Sequence, residues 1–196
     1  MRLGIYGGTF DPIHNGHIKA AKEFLTRFNL DKLLIIPAGK PPHKLMGLKD
    51  DPNRRLEMCR LAFDGDDRIE VSDIEISRTG KNYTVFTLRE LKKYGDTMYF
   101  LCGADKLHSF NKWYCFEEIL EMCTLVFVRR ETECNILSKA DELKWKYGAK
   151  IEILDMDALE MSSTDVREKL RSGEDVSEML PPAVYKYLIC NNLYME

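Results

Sequence analysis

The sequence predicts an α/β protein built on a doubly wound parallel sheet with helices on both faces. Three observations predict it. Short apolar runs alternate with stretches of helical periodicity, the pattern of parallel strands joined by covering helices. The first run, ending at Tyr6, leads through Gly7-Gly8 into a helix. A second glycine turn, Gly103-Ala104-Asp105, directly follows another apolar run, Phe100-Leu101-Cys102.

Taken in order, strands are expected at 3–6, 32–36, 69–73, 97–101, 123–128 and 150–154. Helices are expected between them. Over 17–28, the residues Ile18, Ala21, Phe24, Leu25 and Phe28 recur on one side. Over 52–63, Leu56, Cys59 and Ala62 do the same, with Asp51 as cap and Pro52 at the first helical position. Val85, Leu88 and Leu91 mark a helix over 83–94, and 116–122 and 137–147 continue the pattern. Pro181-Pro182 opens a last helix over 183–190, packing Val184, Tyr185, Leu188 and Ile189. Residues 38–51, rich in Pro, Gly and Lys, read as a long loop with a function of its own. A chain of 196 residues suits one domain, 1–196, with a short C-terminal helical part from about 162 onward.

Composition narrows the class of function. A net charge of −3 gives no general basic field for nucleic acid. Positive charge is local, with Lys40, His43, Lys44, Lys49, Arg54 and Arg55 in one segment. No aromatic residues interleave there, so the segment reads as a solvated loop or a phosphate clamp. No basic stretch leads into a long apolar run at the N-terminus, and none approaches the ~20 apolar residues that span a bilayer. The expectation is a cytoplasmic protein that engages neither nucleic acid nor membrane, with a homo-oligomer left open. The six cysteines form no C-x-x-C pair and read as reduced thiols. With the four histidines they match no zinc-ligand spacing.

The chemistry-bearing residues begin at the first turn, Gly7-Gly8-Thr9-Phe10-Asp11-Pro12-Ile13-His14-Asn15-Gly16-His17. Glycines let backbone approach an anion closely, and a new helix offers that anion free N–H groups and the positive end of its dipole. His14 and His17, three apart, project from the same side of the first helical turn. Ligands of doubly wound sheets lie beyond the carboxyl ends of the strands, where the winding reverses. If the strands before the two glycine turns are neighbours there, an adenosine fits between Gly7-Gly8 and Gly103–Asp105. Asp105 also reads as a helix cap.

A second motif, Ser162-Ser163-Thr164-Asp165-Val166-Arg167, combines a capping box, Ser162 with Asp165, and a cation in the opening turn. The helix dipole opposes that cation by ~0.3–1 kcal/mol, and an anion at the same end reverses the sign. Ser163, Thr164 and Arg167 are therefore candidates for the outer phosphates of a nucleoside triphosphate. Trp113 falls in a stripe with Phe110, Phe116 and Leu120 near helical spacing, so a core role competes with stacking on a ligand ring.

These two motifs resemble the HxGH-type nucleotidyltransferase superfamily. Three further segments make the chain similar to the bacterial nicotinate-mononucleotide adenylyltransferase family. They are Pro41-Pro42-His43-Lys44, Asn82-Tyr83-Thr84-x-x-Thr87-Leu88, and Gly103-Ala104-Asp105 followed by Lys112-Trp113-Tyr114. The resemblance covers nearly the whole chain, with two departures. Phe86 stands where the family pattern has an acidic residue, and Arg129-Arg130-Glu131 where it has Arg-Pro-Gly.

The resemblance implies a Rossmann-like fold and transfer of AMP from ATP to nicotinate mononucleotide, releasing pyrophosphate. It implies catalytic roles for His17, His14 and Lys44, with His43 a weaker candidate. ATP would be bound by Gly7, Gly8, Thr9, Phe10, His14, His17, Gly103, Asp105, Ser162, Ser163, Thr164 and Arg167. The mononucleotide would meet Lys44, Trp113 and the backbone N–H groups of Thr84 and Tyr114. Mg²⁺ would arrive with ATP, held by phosphates and water, so no protein metal ligand is expected. Rival readings are a nicotinamide-mononucleotide acceptor, pantetheine-phosphate or glycerol-phosphate nucleotidyl transfer, an ATP sensor without turnover, and a nucleic-acid binder.

Overall fold

The computed structural model describes residues 1–39, 51–129, 136–156 and 161–195. Its strands are β1 (Arg2–Gly8), β2 (Lys32–Pro37), β3 (Ile69–Val71), β4 (Thr97–Gly103), β5 (Thr124–Arg129) and β6 (Ile151–Asp155). The helices are α1 (Asn15–Arg27), α2 (Pro52–Ala62), α3 (Thr84–Leu91), α4 (Phe116–Met122), α5 (Ile136–Tyr147), α6 (Ser163–Ser172) and α7 (Pro182–Cys190). All strand pairs are parallel, in the order β3-β2-β1-β4-β5-β6. The winding reverses between β1 and β4, the two strands that end in the glycine turns. This is the Rossmann-like doubly wound sheet that the alternation of elements predicts.

Side chains alternate across a strand, so a sheet covered on both faces needs apolar residues at successive positions. Leu33 and Ile35 of β2 join one buried cluster, and Leu34 and Ile36 join the other. Leu101 of β4 faces the first cluster while Phe100 and Cys102 face the second. The first cluster is completed by Phe24 of α1, Met58 of α2, Val166 of α6 and Leu188 of α7. Leu88 of α3, Ile119 of α4 and Leu143 of α5 complete the second. Among the described residues no helix is long and apolar enough to cross a membrane.

Boundaries follow local chemistry. Asp51 caps α2 by accepting a hydrogen bond from the Asn53 N–H at 2.9 Å, ahead of Pro52 at the first helical position. Ser162 and Asp165 form the expected capping box at α6. That helix stops at Gly173, whose φ of +75° is the left-handed conformation that favours glycine at a helix end.

Two expectations shift in length. β3 ends at Val71 because the Asp73 carbonyl accepts from the N–H groups of Ile76 and Ser77, turning the chain. The helix expected over 83–94 is α3 followed by a separate 3-10 turn, Lys92–Tyr94. The helix implied by reading Asp105 as a cap is a nine-residue 3-10 helix, Ala104–Lys112, long for that type; its N-cap is Gly103, and Asp105 lies in its first turn with no side-chain cap bond made.

Candidate active site

The sheet order puts Gly7-Gly8 and Gly103–Asp105 at one crevice. A cleft of about 430 Å³ opens there, lined by Gly7, Gly8, Phe10, His14, His17, Gly103 and Asp105 among the residues expected at the site. Val128, Met156, Met161 and Lys106 also line it. Met161 adjoins the Ser162–Arg167 motif; the other three were not singled out from sequence, because nothing in an isolated Met or Val reports where a distant loop returns.

Gly8 owes its identity to space inside the protein. A Cβ there would come within 2.7 Å of the Phe10 ring. That ring is buried, set edge-on to Tyr6 at 5.3 Å and to His17 at 5.1 Å between centroids. Phe10 therefore supports the turn from beneath and holds the His17 imidazole on its other side.

His14 is the N-cap of α1, in extended conformation, and His17 is the third residue of the helix. The two imidazoles stack with centroids 3.8 Å apart. The His14 backbone N–H donates to His17 Nδ1 at 3.3 Å. An accepting Nδ1 puts the proton of the neutral ring on Nε2. No acidic residue occupies the first turn of α1 to compete for the dipole.

α6 approaches the same turn from the other end of the chain. Ser163 Oγ donates to the Pro12 carbonyl at 2.9 Å, and Arg167 Nη1 donates to the Asp11 carbonyl at 2.5 Å. Arg167 Nη2 reaches Thr164 Oγ1 at 3.2 Å, and the Asp11 carboxylate lies 3.6 Å from the guanidinium. The Tyr194 hydroxyl donates to that same carboxylate. Ser162, Ser163, Thr164 and Arg167 thus lie beside the histidine turn, although none of them lines the cleft itself. Thr9 is held through its carbonyl, which accepts from Arg55 Nη1 at 2.8 Å. Arg55 is 1% exposed, so this member of the basic segment is a brace for the turn, not a solvated charge. Its place in α2 beside the buried Leu56, Met58 and Cys59 was the available signal.

The residues expected to meet the mononucleotide gather on the far side of β4. Trp113 packs on Phe110 at 5.1 Å and stands edge-on to Phe100 at 6.3 Å between centroids. The Phe100 ring in turn lies 3.6 Å from the position a Cβ would take at Gly7. Thr84 is the first residue of α3, whose N-cap Tyr83 makes no side-chain cap bond, so the opening N–H groups of that helix remain unused by a cap. Tyr114 is half exposed and packs on Tyr83 at 4.8 Å. Lys44, with His43 and Arg130-Glu131, lies outside the described residues.

Gly39 is anchored where β2 gives way to that segment. A Cβ there would come within 2.2 Å of the Glu75 carbonyl and 2.4 Å of Asn82 Nδ2, so only glycine fits. Asn82 is buried and donates to the Glu75 carbonyl at 2.8 Å. The Thr87 hydroxyl donates to the Glu75 carboxylate at 2.8 Å and accepts from Arg78 at 3.1 Å. Burial raises the Glu75 pKa; the Thr87 hydroxyl, Arg78 and the Gly39 N–H pull against it.

A parallel sheet with a histidine-bearing glycine turn at its switch point defines the class, and the chain belongs to the cytidylyltransferase-like family, whose sequence model matches residues 5–169. Its relatives narrow the branch. A protein of Clostridium botulinum (strain Kyoto / Type A2) named "Probable nicotinate-nucleotide adenylyltransferase" is 42% identical, covering 99% of both chains. A protein of the same name from Clostridium tetani is 38% identical, covering 98% of both. Among solved structures, Plasmodium falciparum nicotinic acid mononucleotide adenylyltransferase complexed with NaAD superposes with a TM-score of 0.79. It covers 98% of this chain and 97% of its own at 21% identity, a likeness of fold.

Proposed function

We propose that this protein is a nicotinate-nucleotide adenylyltransferase, joining AMP from ATP to nicotinate mononucleotide and releasing pyrophosphate. The observation that carries this reading is the cleft at the β1/β4 switch point, with the α1 N-terminus, His14 and His17 on its wall. The family membership and the full-length relatives support the same chemistry.

In this reaction a 5′-phosphate oxygen of the mononucleotide attacks the α-phosphorus of ATP, and the bond to pyrophosphate breaks. The nucleophile is already an anion, so no side chain need deprotonate it. Alignment and neutralisation of developing charge are what remains for the protein to supply. His17 donates from Nε2 to the α-phosphate, and His14 contacts phosphate beside it. Gly7, Gly8, Thr9 and Phe10 bring backbone to the nucleotide, and Gly103 and Asp105 flank the adenosine. Ser162, Ser163, Thr164 and Arg167 meet the outer phosphates, and Lys44 reaches the reacting groups. Trp113 stacks on the pyridine ring. The N–H groups of Thr84 and Tyr114 bind its carboxylate, a pairing that the dipole of α3 favours.

Mg²⁺ enters with the nucleotide. The carboxylates of Asp11 and Asp105 are engaged, Asp11 by Tyr194 and Arg167 and Asp105 by Lys106 at 2.6 Å. When bound, the ion would be held mainly by phosphate oxygens and water and would supply charge neutralisation. We assign the reaction to one domain, 1–196, working in the cytoplasm.

The test is a coupled pyrophosphate assay with ATP-Mg²⁺ and separate nicotinate mononucleotide, nicotinamide mononucleotide and pantetheine phosphate. Turnover highest by kcat/KM with the nicotinate form is the expected result. A clear preference for either other acceptor overturns the assignment.

A further inference from the structure

Thr84 and Tyr114 lie on separate segments with no strand pairing between them. Their rings and ions nevertheless join them. Tyr83, Phe86 and Tyr114 form a closed aromatic trio, with centroids 4.8 Å apart for Tyr83–Tyr114, 5.8 Å for Tyr83–Phe86 and 5.8 Å for Phe86–Tyr114. The Arg89 guanidinium covers the outer face of Phe86, 5.5 Å from its centroid. Arg89 then grips Glu118 of α4 through two hydrogen bonds, at 2.7 and 2.6 Å. Helix α3 is thereby fastened at its first turn to the Trp113-Tyr114 segment and at its last to α4.

The chain just past Tyr114 is held in an unfavourable shape. Cys115 has φ of +51°, a left-handed conformation that costs a non-glycine residue energy. Such a conformation persists where its surroundings over-determine it. The surroundings here are the trio on one side and the turn closed by the Phe116 N–H on the Trp113 carbonyl at 3.2 Å.

We propose that Phe86, backed by the Arg89–Glu118 pair, is a positioning residue for acceptor recognition: its ring sets the spacing between the α3 N-terminus and Tyr114. This deepens the proposed function and rests on it, because the two N–H groups so spaced are those assigned to the pyridine carboxylate. Phe86 itself touches no substrate. A carboxylate needs both donors at a fixed separation, whereas a neutral amide, with a donor of its own, meets one of them unfavourably. Loosening the spacing therefore weakens the acid form more than the amide form.

The experiment compares wild type, Phe86→Leu, Phe86→Tyr and Glu118→Gln by steady-state kinetics with both mononucleotides, alongside thermal unfolding. Phe86→Leu should raise KM for nicotinate mononucleotide about three- to tenfold, the size expected from losing an edge-on aromatic pair. The acid-over-amide ratio of kcat/KM should fall by a similar factor while KM for ATP holds within about twofold. Phe86→Tyr restores the ring and should restore wild-type values. Glu118→Gln, at the surface and away from the trio, should reproduce a weaker version of the Phe86→Leu pattern even if Phe86→Leu fails to fold. Wild-type KM and ratio in the folded variants overturn the clamp and leave the function standing. A KM for ATP that rises in parallel with the acceptor KM also overturns it. A wild-type enzyme that adenylylates neither mononucleotide overturns both.

Discussion

The His14 backbone N–H points at Nδ1 of His17 from 3.3 Å, and the two rings stack at 3.8 Å. His14 thus fixes its neighbour's tautomer through the main chain, while its own ring, only 3% exposed, forms part of the wall of the same cleft. In the proposed reaction His17 donates to the α-phosphate, so His17→Ala should lower kcat by roughly 10²–10³-fold, the scale for losing one preorganised transition-state donor. His14→Ala keeps the backbone N–H, so His17 retains its orientation and the loss should be smaller. Initial rates of pyrophosphate release for the two variants check this order; equal losses would refute the division of roles.

Gly8→Ala should destabilise the protein by about 1–3 kcal/mol, the usual range for forcing an extra methyl into a packed site. The new carbon would sit 2.7 Å from the Phe10 ring. Urea unfolding gives the number. Adding Phe10→Leu to Gly8→Ala should cost less than the sum of the two single changes, because the second makes room for the first. Strict additivity would place the strain elsewhere.

Glu75 links stability to pH. Burial holds its pKa above the ordinary 4.5, so the folded state keeps its proton to higher pH than the unfolded chain does. Its contribution is fully present below 4.5 and is lost as pH rises through the folded value. Glu75→Gln keeps an acceptor for Thr87 but cannot ionise. The stability of Glu75→Gln minus that of wild type should therefore grow as pH climbs from 4.5, then level off. Urea unfolding at a series of pH values measures it, and a difference independent of pH would show that Glu75 ionises without penalty.

Cysteine reactivity should split by burial. Burial pushes the thiols of Cys59 and Cys102 far up and that of Cys123 up to about 12, leaving almost no thiolate at neutral pH. Cys115 and Cys190 are exposed. Brief treatment of folded protein with iodoacetamide, followed by peptide mass mapping, should label Cys115 and Cys190 and spare Cys59, Cys102 and Cys123 until urea is added; Cys134 lies outside the described residues. Labelling of Cys59 in native protein would contradict its place in the core.

Much of the fold was legible because strands buried on both faces write themselves as unbroken apolar runs. Ile5, Leu34 and Phe100 fall in adjacent registered strands and announce themselves locally. The crevice was legible for the same reason: once β1 and β4 are neighbours, Gly7-Gly8 and Gly103–Asp105 must meet. Contacts that depend on distant returns of the chain were not. Arg55 read as part of a basic loop segment, since sequence shows its charge but not the Thr9 carbonyl that receives it. The 3-10 winding of Ala104–Lys112 was hidden because the spacing of three between the buried Ala104, Leu107 and Phe110 occurs in both helix types. Trp113 reads as core or ligand platform, and it is half-buried against Phe110.

The bond between Tyr194 and Asp11 joins residues 183 positions apart. A polypeptide still being synthesised therefore carries its first strand and phosphate turn long before Asp11 meets this partner. The turn gains this brace only once the segment around Tyr194 has been made and has folded back, so a chain cut before it would rely on Arg55, Ser163 and Arg167 to hold that turn.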